Sequence, residues 1–170
     1  AALAKADSFR PQGISNTLWA LAALKSLHFP LTSALCGVAE LCIEEFNAQN
    51  VVNSIWAFAT MPAMTPEPLL ARLCAAARRT AGSFSPQHLG NTLWALAALR
   101  LEHAPLMAAL SSPALRKIGE FNCQNVTNTL WSLAVLAFDD SELREVLSRA
   151  AAAAAAASGG RDLAGGLWAA

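Results

Sequence analysis

The chain has 170 residues, 55% of them hydrophobic and 14% charged, with Lys+Arg and Asp+Glu equal at 12 each and a formal net charge of zero. That length fits one domain, and that composition excludes a disordered chain. The charge balance argues against nucleic-acid binding driven by bulk charge, although it leaves room for a basic stripe on one face.

Residues 1–8 (AALAKADS) read as the tail of a preceding helix. From Phe9 a unit begins that starts again at Phe46, Phe84 and Phe121. Each unit runs Phe, a cap-like residue, a helix start, Gln, a variable residue, an aliphatic, a small residue and Asn, then a tryptophan stretch. Asn91-Thr-Leu-Trp-Ala-Leu-Ala-Ala-Leu99 recurs letter for letter from Asn16 to Leu24 and in varied form from Asn53 and from Asn128. The five tryptophans, Trp19, Trp56, Trp94, Trp131 and Trp168, are separated by 37, 38, 37 and 37 residues. A worn fifth copy, residues 165–170, lacks a second helix, so the array is expected to continue or to be capped by a partner.

Asn47, Ser85 and Asn122 stand just before the first helical position, where a short polar side chain accepts from free backbone N–H groups. Pro11 and Pro86 follow, where the missing N–H costs nothing. Arg10 is a poor cap. Each first helix is predicted to run about fourteen residues, an ordinary length. Ile14, Leu18 and Leu21, like Leu89, Leu93 and Leu96, share one face at i, i+4, i+7. The tryptophan is expected to widen that apolar face and to be buried.

Connectors marked by proline or Asp/Ser follow at 25–31, 62–66, 100–105 and 138–140. Second helices are predicted over 32–45, 66–81, 105–120 and 141–157, the last including an alanine run that extends it. Two-helix hairpins in tandem at this period predict an all-α fold, an α-solenoid with a period of about 37 residues. The repeats fall at 9–45, 46–83, 84–120 and 121–157, with a partial fifth at 158–170, in a single solenoid over 1–170. Copies one and three share Pro11/Pro86, His28/His103 and Pro30/Pro105, while copies two and four share FNxQNV, always at an offset of 75. The array reads as a duplicated pair of hairpins.

Catalytic motifs are lacking: there is no Gly-rich phosphate loop, no H-E-x-x-H and no G-x-S-x-G, so an enzyme is not expected. Cys36, Cys42, Cys74 and Cys123 form no C-x-x-C and have no histidine at ligand spacing, so neither a metal nor a cofactor is expected. The first three are expected as buried free thiols. No apolar run reaches membrane-spanning length without a polar residue or proline, so membrane insertion is not expected either.

The repeated amide pair is the candidate site. Gln12/Asn16, Gln49/Asn53, Gln87/Asn91 and Gln124/Asn128 are each i, i+4 on a first helix, and stacking would align them as a ladder. Amides carry donors and acceptors together, as reading a base edge requires. The neighbouring Gly13, Asn50, His88 and Asn125 vary from copy to copy, as in a one-base-per-repeat reader. The competing reading is that these amides bond to backbone or to the next repeat and set the stacking register. Arg72, Arg78 and Arg79 and then Arg116 and Lys117 recur on second helices, either as a phosphate-facing stripe or as a solvated face.

The units FSPQHLGNTLWALAAL, FNAQNVVNSIWAFATM and FNCQNVTNTLWSLAVL resemble the heptatricopeptide repeats of RAP-domain and FAST-kinase-like proteins, relatives of the octotricopeptide repeats of algal organelles. The resemblance implies an α-solenoid in a mitochondrion or plastid. Its expected partners are single-stranded or ribosomal RNA and other subunits of a large assembly. At one base per repeat such an array would cover about four or five nucleotides. The neutral charge suits a structural or adaptor subunit of an organellar complex as well as an RNA-binding factor.

Overall fold

A computed structural model describes residues 9–158 of the chain. Its helices follow the repeat: α1 (Pro11–Ala23), α2 (Phe29–Cys42), α3 (Ala48–Thr60), α4 (Glu67–Thr80), α5 (Pro86–Ala98), α6 (Ala104–Lys117), α7 (Cys123–Val135) and α8 (Ser141–Ser158). No strand occurs among the described residues. The fold class is all-α, with helical hairpins packed in tandem as in an α-solenoid. The chain divides between Ser83 and Phe84 into two compact units of two hairpins each. That boundary coincides with the start of the second duplicated pair, since Phe84 lies 75 residues beyond Phe9.

In the first unit α1 packs on α3, α2 on α4, and each first helix on its own second helix. The core is the set of side chains facing both neighbours: Ile14, Leu18, Leu35, Val51, Ile55, Phe58, Leu69 and Leu73 are all buried. In the second unit α5 packs on α7 and α6 on α8, around Leu89, Leu93, Leu96, Leu106, Leu110, Val126, Leu133 and Leu147. Each such aliphatic or aromatic side chain contributes about 1.5–3 kcal/mol by leaving water.

Local chemistry sets the helix ends. Asn47, Ser85 and Asn122 cap α3, α5 and α7 as expected, and Arg10 makes no side-chain cap at α1. The second helices start within one residue of expectation at α4, α6 and α8, and α2 differs. Phe29 opens α2 three residues earlier than predicted because Pro30 sits in the first turn, where its missing N–H is harmless. His28 supplies the cap: its Nδ1 accepts the Leu31 N–H at 3.2 Å, and His103 Nδ1 accepts that of Leu106 at 3.1 Å. Both connector histidines are thus helix caps. Single 3-10 turns finish α2, α4 and α6.

Three first helices end alike. Ser26 N–H donates to Leu21 and Lys25 N–H to Ala22, with matching bonds at Leu101/Arg100 and Phe138/Ala137. This closure needs a left-handed residue. Lys25, Arg100 and Ala137 provide it, with φ of 51°, 51° and 47° and no glycine to relieve the strain.

Candidate nucleic-acid interface

A first helix turns about 100° per residue, so Gln, Asn and Trp at i, i+4 and i+7 fall within about 60° of arc. The arc points away from the second helix. Gln12, Asn16 and Trp19 are all exposed, and Gln49, Gln87 and Gln124 are exposed with half-buried Asn53, Asn91 and Asn128 beside them. In the first unit neighbouring rungs touch. Asn53 Nδ2 reaches Asn16 Oδ1 at 3.5 Å, a long contact at the limit of hydrogen bonding, and the Trp19 and Trp56 ring centroids stand 6.1 Å apart, tilted by 33°.

The expectation that the tryptophans are core residues is corrected for the four described ones, Trp168 lying outside the described residues with the rest of the fifth copy. Trp19 is 46% exposed and Trp131 39%, and Trp56 and Trp94 are half-buried. The reason is angular. The buried stripe is centred on Ile14 and Leu18, and the next residue lies about 100° away, on the rim. The indole is therefore only partly covered and stands beside the amides. The signal was present in the i, i+4, i+7 spacing from Gln to Trp.

At the variable position the structure shows capping contacts. Asn50 and Asn125 are only 4% and 6% exposed. Each closes a capping box: Asn50 Oδ1 accepts the Asn47 N–H at 3.3 Å while Asn47 Oδ1 accepts the Asn50 N–H at 2.9 Å, and Asn122/Asn125 repeat the pattern. His88 does the same with Ser85 and meets the Phe84 ring edge-on at 5.7 Å. Where the cap is absent, at Arg10, the position is Gly13, and the Phe9 ring lies 3.1 Å from where a Cβ would stand. Variation here follows the partner at the N-cap, so the residues are matched to a capping role.

Asn50 also donates from Nδ2 to Ser15 Oγ at 3.1 Å, a buried bond between hairpins. In the second unit Asn125 lies over Gly90, with its Cα and Nδ2 each 3.4 Å from where a Cβ would stand. The small residue of the repeat (Ser15, Gly90) thus makes room for the next copy's asparagine. Here the register-setting role holds, at a position neighbouring the ladder.

The predicted cations sit on the other layer. Arg72, Arg78 and Arg79 are exposed on α4. Arg72 Nη1 donates to the Glu40 carbonyl at 2.6 Å, and Arg79 pairs with Glu44 at 2.8 Å. Arg116 bonds Ser112, and Lys117 Nζ donates to the Phe84 carbonyl, close enough to His88 to hold its pKa below the ordinary histidine value together with burial, the larger cause. None of these five joins the amide–indole face within its unit. The four described first helices carry no Lys, Arg, Asp or Glu at all. Their only ionisable side chains are His88 and Cys123.

Burial pushes the thiols of Cys36 and Cys74 up to about 11, with Glu40 adding to the effect at Cys36, and both remain protonated at neutral pH. Among the described residues no group of three or more His, Cys, Asp and Glu could hold a metal ion. A cleft between α7 and α8 is lined by Leu130, Phe138, Asp139 and Arg144, and its two charges pair with each other at 3.3 Å. No described helix is long and apolar enough to cross a membrane.

Residues 6–18, 42–54, 66–93 and 105–130 match a family described as "Protein of unknown function (DUF1601)". A stretch of 59 residues is 39% identical to a RAP domain-containing protein, chloroplastic, of Oryza sativa subsp. japonica, covering 34% of this chain and 9% of that protein. The chain is therefore similar to a small part of that relative's length, and the matched family segments recur along the chain as its repeats do.

Proposed function

We propose that this chain is a non-catalytic helical-repeat protein that binds single-stranded RNA in a mitochondrion or plastid, in RNA processing, translation or ribosome assembly. The observation that carries the reading is the outward set of Gln, Asn and Trp on the paired first helices of each unit, α1 with α3 and α5 with α7. Amides can pair with base edges and indoles can stack on base faces, a combination that suits unpaired nucleic acid. The likeness to a chloroplastic RAP-domain protein supports an organellar, RNA-binding role. Assignment of the repeats to the heptatricopeptide or octotricopeptide type belongs to the same proposal.

Fluorescence anisotropy of a labelled single-stranded RNA tests it. The chain should bind in the micromolar range, and the triple variant Gln49→Ala, Gln87→Ala, Gln124→Ala should weaken binding with an unchanged circular dichroism spectrum. Absence of binding by the parent chain refutes the reading.

A second reading, a structural or adaptor subunit of an organellar complex, is favoured by a separate feature. Leu24 is 77% exposed, whereas Met61 at the same place in the next repeat is 3% exposed, and Leu27, Phe29 and Leu41 are exposed on the same hairpin. Such apolar exposure fits a covered protein surface. It predicts that Leu24→Glu with Leu41→Glu abolishes co-sedimentation with a large complex from organelle extract while RNA binding persists.

A further inference from the structure

The first-helix face combines three properties that constrain how a nucleic acid would lie on it. It is rich in amides and indoles, it is exposed, and among the described residues it carries no charged side chain. Arg10 is exposed at the N-cap of α1, two residues before Gln12, and the cations of that layer nearest the indoles, Lys25 and Arg100, stand six residues beyond Trp19 and Trp94, past the helix ends. Six residues of helix rise about 9 Å. Four of the five second-helix cations are engaged on their own layer, Arg72 and Lys117 with backbone carbonyls, Arg79 with Glu44 and Arg116 with Ser112, and Arg78 is exposed on α4.

Resting on the proposed RNA-binding function, we infer that the Trp19–Trp56 pair takes one unpaired base and leaves the phosphates flanking that base in solvent. The Trp19 and Trp56 centroids are 6.1 Å apart at 33°. A ring stacked on both sides needs planes about 6.8 Å apart, twice the about 3.4 Å spacing of stacked bases. The tilted pair must open and flatten to admit one base between its rings. Asn16 and Asn53 lie one helical turn before the indoles, with Gln12 and Gln49 a further turn back, so amide donors and acceptors flank the base edge. The long 3.5 Å contact between Asn16 and Asn53 is readily exchanged for bonds to a base.

This arrangement separates from ordinary RNA binding by its response to salt. Each phosphate neutralised on a single strand costs about fivefold in affinity per tenfold rise in salt, by counterion release. A face that touches only bases loses none.

The test titrates the full chain with a short single-stranded RNA at low salt and at tenfold higher salt, following tryptophan fluorescence, beside an abasic oligomer and a methylphosphonate oligomer of the same sequence. The expected result is quenching with affinity unchanged within about twofold across the salt range, against the about fivefold loss per phosphate contact. Equal binding of the uncharged methylphosphonate and no binding of the abasic strand should accompany it. Trp19→Ala with Trp56→Ala should remove most of the affinity, and Trp19→Phe with Trp56→Phe should keep part of it with the fold checked by circular dichroism. RNA binding that falls fivefold or more with salt, or that persists on the abasic strand, overturns the inference and leaves the RNA-binding function standing. Failure of all oligomers to bind at low salt overturns that function itself.

Discussion

Replacing Asn50 by alanine should damage the fold, whereas replacing its neighbour Gln49 should not. Asn50 makes two bonds with its side chain: Oδ1 accepts the Asn47 N–H in the capping box, and Nδ2 donates to Ser15 Oγ across the hairpin stack. Each is worth about 1 kcal/mol net. The reciprocal bond from the Asn50 N–H to Asn47 Oδ1 uses backbone and survives the substitution. Alanine is a better helix former than asparagine by about 0.5 kcal/mol, which offsets part of the loss. Asn50→Ala should therefore destabilise by about 1.5 kcal/mol, with Gln49→Ala within about 0.5 kcal/mol of the parent because Gln49 is exposed. Urea unfolding followed by circular dichroism measures both, with an unchanged slope showing that the unfolded state is unaffected. A cycle with Ser15→Ala isolates the inter-hairpin bond. Ser15 keeps its bond to the Gln12 carbonyl in either background, so the coupling should be about 1 kcal/mol. Equal stability of the Asn50 and Gln49 variants, or zero coupling to Ser15, would refute the assignment of Asn50 to the stack.

Gly90→Ser should restore in the second unit the partner that Ser15 gives Asn50, and should raise stability by about 0.5–1 kcal/mol because a helix-interior glycine is also removed; a lower urea midpoint would mean the 3.4 Å space cannot take a side chain. His88 has a folded pKa below its ordinary value, from burial and from Lys117. Its contribution is complete above the unfolded value of about 6.5 and is lost as pH falls through that value and the folded one. His88→Asn, which copies the residue at Asn50 and Asn125, should flatten that part of the stability–pH curve, and an unchanged curve would exclude His88 as its source. Arg100→Gly should stabilise by about 0.5–1 kcal/mol by relieving the left-handed strain at φ 51°, read as a higher thermal midpoint. Iodoacetamide at mild alkaline pH should label exposed Cys123 and spare buried Cys36 and Cys74, whose thiols stay protonated; mass spectrometry locates the label, and fast labelling of Cys74 would contradict its burial.

The helical hairpins were legible from local signals alone. Phe-led units, caps at Asn47, Ser85 and Asn122, prolines in first turns and apolar residues at helical spacing each act within about one turn of chain, so they can be read without knowing any neighbour. The same holds for the i, i+4 pairing of Gln and Asn, which places both amides on one face whatever packs behind them.

Three matters were settled only by tertiary packing. The spacing puts Trp19 beside Leu18 but does not say how far the adjacent helix covers the rim, and the stacked helices leave the indole half in water. The variable residue looks like a reader in the sequence because it changes. It is buried at Asn50 and Asn125 because the capping box turns its amide back to the N-cap, and at Asn50 because the preceding hairpin offers Ser15 across the stack. The named cations lie on second helices and the amides on first helices, so each hairpin holds them on different layers. Periodicity along a chain determines which residues share a helix face. Only the packing of one hairpin on another decides which of those faces meets water, and here it leaves an uncharged row of Gln, Asn and Trp.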